Sequence, residues 1–255
     1  MIKTNGYWST VKNFLVYKLS EVAHWFTQQA ECELCFAPAG PAGFLCPACF
    51  ADLPMARAAC SQCAEPLSQP GRCQHCLQQP PAFDYAFAAY LYRAPVSLWL
   101  QQYKDQRQLR WLPRLSWLMR QQMPAEDIIN RIDAIAFVPS ARGKLLRRGF
   151  NPAGLLARNM AKAMHKPLLS NALQRHYQPG TTEQDQRGLN RRQRRQNQQR
   201  SLHAGQLPLQ GQHILLIEDV ITTGATADAA ARALKQQGAA IVGLWALART
   251  PPKGS

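Results

Sequence analysis

Four Cys-x2-Cys units follow one another at near-equal intervals: Cys32/Cys35, Cys46/Cys49, Cys60/Cys63 and Cys73/Cys76, separated by ten, ten and nine residues. A CxxC turn aims two thiolates at one centre, and two such turns complete the tetrahedral four-sulfur shell that zinc takes in structural sites. Eight thiolates therefore predict two zinc ions. Pairing neighbouring units is the economical closure, with Cys32, Cys35, Cys46 and Cys49 on one ion and Cys60, Cys63, Cys73 and Cys76 on the other. An interleaved pairing is the alternative that spacing leaves open. Disulfides would require an oxidising compartment, and nothing in the chain directs it to one. Redox chemistry would use a single CxxC near a βαβ unit, not four in a Pro/Gly-rich stretch. Iron–sulfur ligation would usually show less regular spacing. His75 falls inside the last unit, where four sulfurs already fill the shell, and reads as an exposed loop residue. A closed shell has no open position for substrate, so this module scaffolds or binds while reactive chemistry lies elsewhere.

Charge divides the chain the opposite way. Residues 1–130 hold eleven basic and nine acidic side chains, and residues 131–255 hold nineteen and six, a net of +13 in the second part against +2 in the first. With 46% apolar residues in a chain of 255, a full core is affordable and a disordered tail is excluded. No apolar run approaches the ~20 residues of a membrane span. The early Phe14–Tyr17 run is broken by Lys18, so no secretory signal is read and the expected location is cytoplasmic. Trp8, Val11, Leu15, Leu19, Val22 and Phe26 recur at steps of three or four, which predicts an amphipathic helix over 1–27, packed on its own chain in preference to a membrane or partner.

Beyond Pro80-Pro81 the periodicity changes. Tyr85–Tyr92 reads as a strand, and Val96–Tyr103 and Leu109–Met123 read as helices. Ile135–Val138 is a short strand ended by Pro139. Asn151–His165 is a helix opened by Pro152. Residues 176–212 are polar and Arg-rich, either a functional loop or a helix with a solvated face. Ile214–Ile217, an Ala-rich helix over 225–237 and Ala240–Leu247 form a βαβ unit, which predicts an α/β fold with a parallel sheet.

The most informative stretch is Ile214-Leu-Leu-Ile-Glu218-Asp219-Val-Ile-Thr222-Thr223-Gly224-Ala225-Thr226. Two carboxylates at the carboxyl end of a buried strand are followed by hydroxyls, a glycine and a helix start. The backbone N–H groups of such a turn cradle an anion. The carboxylates cannot bind that anion, so they face vicinal hydroxyls or a cation, a division that suits a sugar phosphate. A mere helix cap would not need all these parts in order.

These thirteen residues resemble the phosphoribosyl pyrophosphate (PRPP) motif of type I phosphoribosyltransferases. With the cysteine units, the chain resembles the ComF family, also called the ComFC/GntX-type amidophosphoribosyltransferase-like proteins. Val138-Pro139 followed by Arg147-Arg148-Gly149-Phe150-Asn151 is similar to the family's VP…RRGFNQ signature, with Pro152 in place of its Gln. Gln186-x2-Leu189 with Arg194, Arg195 and Asn197 resembles another segment. Lys104 matches a lysine that ends the family's first helix, and Gly238-Ala239…Ala248-Arg249 its GA…AR close. The resemblance spans roughly residues 28–250.

The resemblance implies a Rossmann-like type I phosphoribosyltransferase domain over 83–250, preceded by a double zinc ribbon over 28–82 and followed by a tail, 251–255. Glu218 and Asp219 would be catalytic and contact the ribose hydroxyls, while Thr222, Thr223, Gly224, Ala225 and Thr226 grip the 5′-phosphate. Ser140, Arg142 and Lys144 would hold pyrophosphate in the loop after a preceding strand, with magnesium carried on PRPP. Arg187, Arg191, Arg192, Arg194 and Arg195, with Arg147 and Arg148, would meet either the departing pyrophosphate or single-stranded DNA. The family's association with natural competence, the uptake and use of external DNA beside a helicase-like partner, makes a PRPP- and DNA-binding role the first expectation. An active transferase and a non-catalytic PRPP sensor are the alternatives.

Overall fold

A computed structural model describes residues 31–40, 43–56, 58–175, 202–205 and 207–252. The helix expected over 1–27 and the residues from Gln186 to Asn197, including Arg187, Arg191, Arg192, Arg194 and Arg195, lie outside them. Two compact units meet in sequence at Asp52–Leu53.

The described residues of the first unit contain a sulfur cluster and a short helix, α1 (Pro47–Ala51), which starts within the second CxxC. The second unit begins with a small hairpin, β1 (Ala58–Ala59) antiparallel to β2 (Pro66–Leu67), and a short helix, α2 (Gln74–Gln78). From there the chain enters an α/β layer. β3 (Tyr85–Leu91), α3 (Val96–Lys104), α4 (Trp111–Gln121) and α5 (Glu126–Arg131) lead to β4 (Ala134–Phe137). α6 (Arg142–Arg148) and α7 (Pro152–Ala163) follow, then the short antiparallel pair β5 (Leu173–Arg175) and β6 (Leu202–Ala204). β7 (His213–Ile221), α8 (Ala225–Gln236) and β8 (Ile241–Arg249) close the unit. The main sheet has the order β3-β8-β7-β4, and every neighbouring pair in it is parallel. The expected α/β fold with a parallel sheet is what forms.

A central parallel strand is covered on both faces, so it reads as an unbroken apolar run. Ile214, Leu215, Leu216 and Ile217 in β7 are fully buried. Ile214 and Leu216 join one cluster with Ala230, Ala231 and Leu234 of α8. Leu215 and Ile217 alternate to the other face, and α7 packs on β7 and β4. The alanines of α8 let its backbone lie close to the sheet.

Several boundaries differ from the sequence reading, and two of them bear on the candidate site. β7 does not stop at Ile217 but runs to Ile221, because β8 pairs with it as far as Ile221↔Arg249. Backbone pairing thus carries the polar Glu218 and Asp219 inside a strand. β4 pairs only up to Phe137↔Ile217, so on that side the acids project past the sheet. The stretch after β4 is a loop only through Ala141. Arg142 begins α6, which Gly149 ends in the left-handed conformation at φ +82°. Among the described residues no helix is long and apolar enough to cross a membrane.

Candidate functional site

The eight sulfurs gather as two clusters of neighbouring units, Cys32/Cys35/Cys46/Cys49 and Cys60/Cys63/Cys73/Cys76, with the ligand atoms of each within 4.8 Å of one another. The interleaved pairing is thereby excluded. Four sulfurs ~2.3 Å from one zinc would stand ~3.8 Å apart at the corners of a tetrahedron. Cys35 Sγ and Cys46 Sγ are 3.7 Å apart, as are Cys63 Sγ and Cys73 Sγ. Backbone donors prepare the thiolates: Cys49 N–H points to Cys46 Sγ, Cys76 N–H to Cys73 Sγ and Cys73 N–H to Cys60 Sγ. Burial would raise the Cys60 thiol, but the N–H groups of Cys73, Cys63 and Gln62 outweigh it and bring it down to about 7. Both clusters fit a structural zinc ion. His75 is exposed, as expected.

The second site lies at the carboxyl ends of the main sheet, where ligands bind in open parallel α/β sheets. β7 delivers Glu218 and Asp219, both half-buried. Thr222 and Thr223 are exposed in the turn that follows. Gly224 then takes φ +75° as the N-cap of α8. A left-handed residue is needed there, and glycine adopts it without strain. Thr223 Oγ1 accepts from Ala225 N–H at 3.4 Å. Ala225 and Thr226 lie in the first turn of this twelve-residue helix, whose N-terminal amides and dipole favour an anion.

Cations surround the acids. Lys104, the last residue of α3, places Nζ 3.4 Å from Asp219 Oδ2. Burial and the adjacent Asp219 carboxylate raise Glu218 to about 8, against the opposing pull of Lys104, Arg175 and Arg249. Arg175 ends β5, and desolvation lowers its own pKa. Its buried Nε has no partner among the described residues. Burial and its acidic neighbour thus favour the protonated form of Glu218, and the nearby cations oppose that.

The last turn of α3 also fixes the segment carrying the RRGFN residues. Tyr103 Oη donates to the Pro152 carbonyl at 3.2 Å, and Asp105, its C-cap, accepts from Arg148 at 2.6 Å. Arg148 is therefore turned onto Asp105, while Arg142, Lys144 and Arg147 are exposed on α6 and Ser140 is half-buried before it. Phe150 stacks at a tilt on Tyr103, with ring centroids 5.4 Å apart. Asn151 caps α7 by accepting from Gly154 N–H, and its Nδ2 donates to the Val138 carbonyl.

Sequence reasoning missed Arg175, and it quoted Lys104 and Arg249 without a role. The signals available were a lone arginine after an apolar pair and two motif matches. None of them reveals which acid the cation will meet in the fold.

The phosphoribosyl transferase domain family matches residues 145–254, and the double zinc ribbon domain family matches residues 26–77. The chain is 31% identical over 224 residues to the DNA utilization protein YhgH of Escherichia coli O157:H7, covering 86% of this chain and 96% of that protein. It is 31% identical over 196 residues to Competence protein F of Haemophilus influenzae, covering 74% and 84%. It is 28% identical over 124 residues to an adenine phosphoribosyltransferase of Rhodococcus opacus, covering 48% and 56%.

Proposed function

Because the chain belongs to the ComF family, whose members include Competence protein F and the DNA utilization protein YhgH, we propose that it binds PRPP at the acid pair and single-stranded DNA on its basic surface. In this role it serves the use of external DNA. The observation that carries the PRPP half is the placement of Glu218 and Asp219 near the end of a strand whose following turn runs through Thr222 and Thr223 into a glycine-headed helix N-terminus. Carboxylates suit the ribose hydroxyls, and the amides of Gly224–Thr226 with the hydroxyls of Thr222, Thr223 and Thr226 suit the 5′-phosphate. Arg142 and Lys144 suit the pyrophosphate, and magnesium arrives bound to it.

The net +13 of residues 131–255 supports the DNA half, with Lys144 and Arg147 exposed on α6. The printed names of the relatives point the same way. A helicase-like partner and a cytoplasmic setting follow from the same reading.

Calorimetry with magnesium–PRPP tests the first half: saturable binding that Glu218→Ala/Asp219→Ala abolishes, with zinc content intact, is the expected result. Joint loss of zinc would show the pair to be structural. A DNA affinity unchanged between about 50 and 200 mM salt would contradict phosphate-driven binding, which falls steeply over that range. Pyrophosphate release in the presence of bases, amines or DNA would identify an active transferase. DNA affinity that changes with PRPP but without turnover would identify a sensor.

A further inference from the structure

The backbone that bears the second sulfur cluster is fastened to the phosphate turn through Arg249. This residue ends β8, and only 5% of it is exposed. Its Nε donates to the Cys63 carbonyl at 3.2 Å. Its Nη1 donates to the Ile221 carbonyl at 3.2 Å and also to the Thr222 carbonyl. Its Nη2 lies 3.6 Å from the Glu65 carboxylate. One guanidinium therefore joins a residue that supplies sulfur to the second cluster with the two residues that lead into the turn.

Two further contacts join the same pieces. Gln62 Nε2 donates to the Phe83 carbonyl at 3.0 Å, and the Phe83 ring lies 3.8 Å from where a Cβ on Gly224 would stand. Ala64, Phe83 and Ala227 share one buried apolar cluster. Gln62, Cys63, Ala64 and Glu65 thus each engage something that meets the turn or the start of α8.

A trans peptide is planar, so fixing its carbonyl also fixes the direction of the following N–H, which points the opposite way. By holding the Ile221 and Thr222 carbonyls, Arg249 sets the aim of the Thr222 and Thr223 amides. The Cys63 carbonyl, in turn, belongs to the Cys60–Cys63 knuckle that an ion in the second cluster would close.

We propose that the second zinc centre and the phosphate turn are energetically coupled through Arg249, each favouring the bound state of the other. This rests on the reading of the turn as a ribose-phosphate site. Arg249 is a positioning residue: it touches neither the ion nor the sugar phosphate, and it fixes the two residues that lead into the turn and present the Thr222 and Thr223 hydroxyls. Linkage makes the coupling reciprocal, so ribose phosphate must raise zinc affinity by the factor by which zinc raises ribose-phosphate affinity.

The test is equilibrium competition for zinc between the full chain and a zinc-selective chelator, with and without saturating ribose 5-phosphate. This probe fills the turn without magnesium. The expected result is about a fivefold or greater rise in affinity for one of the two ions. Arg249→Lys keeps the charge but has one nitrogen where arginine reaches Cys63 through Nε and Ile221 and Thr222 through Nη1, and it is expected to lose that rise. If that variant does not fold, Glu65→Gln at its half-exposed position takes its place, with a response below wild type. A wild-type chain that binds ribose 5-phosphate yet holds both ions with unchanged affinity overturns the coupling and leaves the site reading standing. Variants with a full response also overturn it. A chain that binds neither ribose 5-phosphate nor PRPP overturns both.

Discussion

Lys104 and Asp219 are 115 positions apart in the chain and 3.4 Å apart in the fold. The lysine is the last residue of α3, where the helix dipole also favours a cation. It also lies 5.5 Å from the centre of the Tyr92 ring. Lys104 opposes the rise in the Glu218 pKa, so Lys104→Met is expected to push that pKa further above about 8. The carboxyl carbon resonance of Glu218, followed by NMR across pH, measures the shift. An unchanged titration would show that Lys104 does not act on the pair.

Glu218 also makes stability depend on pH. Its folded pKa of about 8 lies above the ordinary value of 4.5, so the folded state favours the protonated form. That contribution is fully present below the unfolded pKa and is lost as pH rises through about 8. Glu218→Gln is expected to leave stability near pH 4 unchanged and to raise it relative to wild type at pH 8–9. Thermal melts at both pH values check the crossover, and equal differences at both would contradict it.

Gly224 holds φ +75° at the head of α8. Gly224→Ala should cost about 1–2 kcal/mol, because a side chain disfavours that region, and it should weaken ribose 5-phosphate binding as the turn relaxes. Denaturant unfolding and calorimetry report the two effects separately.

Removing one sulfur from the second cluster should affect more than metal content. Cys76→Ser is expected to reduce zinc from about two ions to about one. It should also lower the melting midpoint by about 10 °C, as a loss of ~3 kcal/mol would do in a chain of this size. Metal analysis and a thermal scan of the same preparation decide it.

Asn151 caps α7 and also donates to the Val138 carbonyl. Asn151→Ala should cost about 1 kcal/mol, read as a lower denaturant midpoint with an unchanged slope. A neutral result would mean that water replaces the cap.

Sequence made the local pieces legible. Equal CxxC spacing implied two metal centres, and the apolar tetrad Ile214–Ile217 marked the middle of the sheet. The order of acids, threonines and glycine marked the site. Features set by distant pairing were not legible. The extension of β7 through Glu218 and Asp219 depends on β8 running alongside to Arg249. The grip of α3 on Asp219, Pro152 and Arg148 depends on three separate stretches meeting. Zinc pairing stayed open in sequence because every CxxC offers the same chemistry, and only proximity chooses.

The ties of Gln62, Cys63 and Glu65 to Phe83 and Arg249, with the unit division at Asp52–Leu53, bear on how this protein can be taken apart. The double zinc ribbon looks like a detachable module, yet the seam between the two compact units runs through its middle. A fragment starting at residue 83 would strip Arg249 of two acceptors and uncover the surface that Ala64 seals. The shortest fragment that respects the seam starts at Leu53 and takes half the ribbon with it. Chimeras that exchange whole ribbons between relatives would therefore replace two of Arg249's acceptors, whereas exchanges made at Asp52–Leu53 would leave them in place.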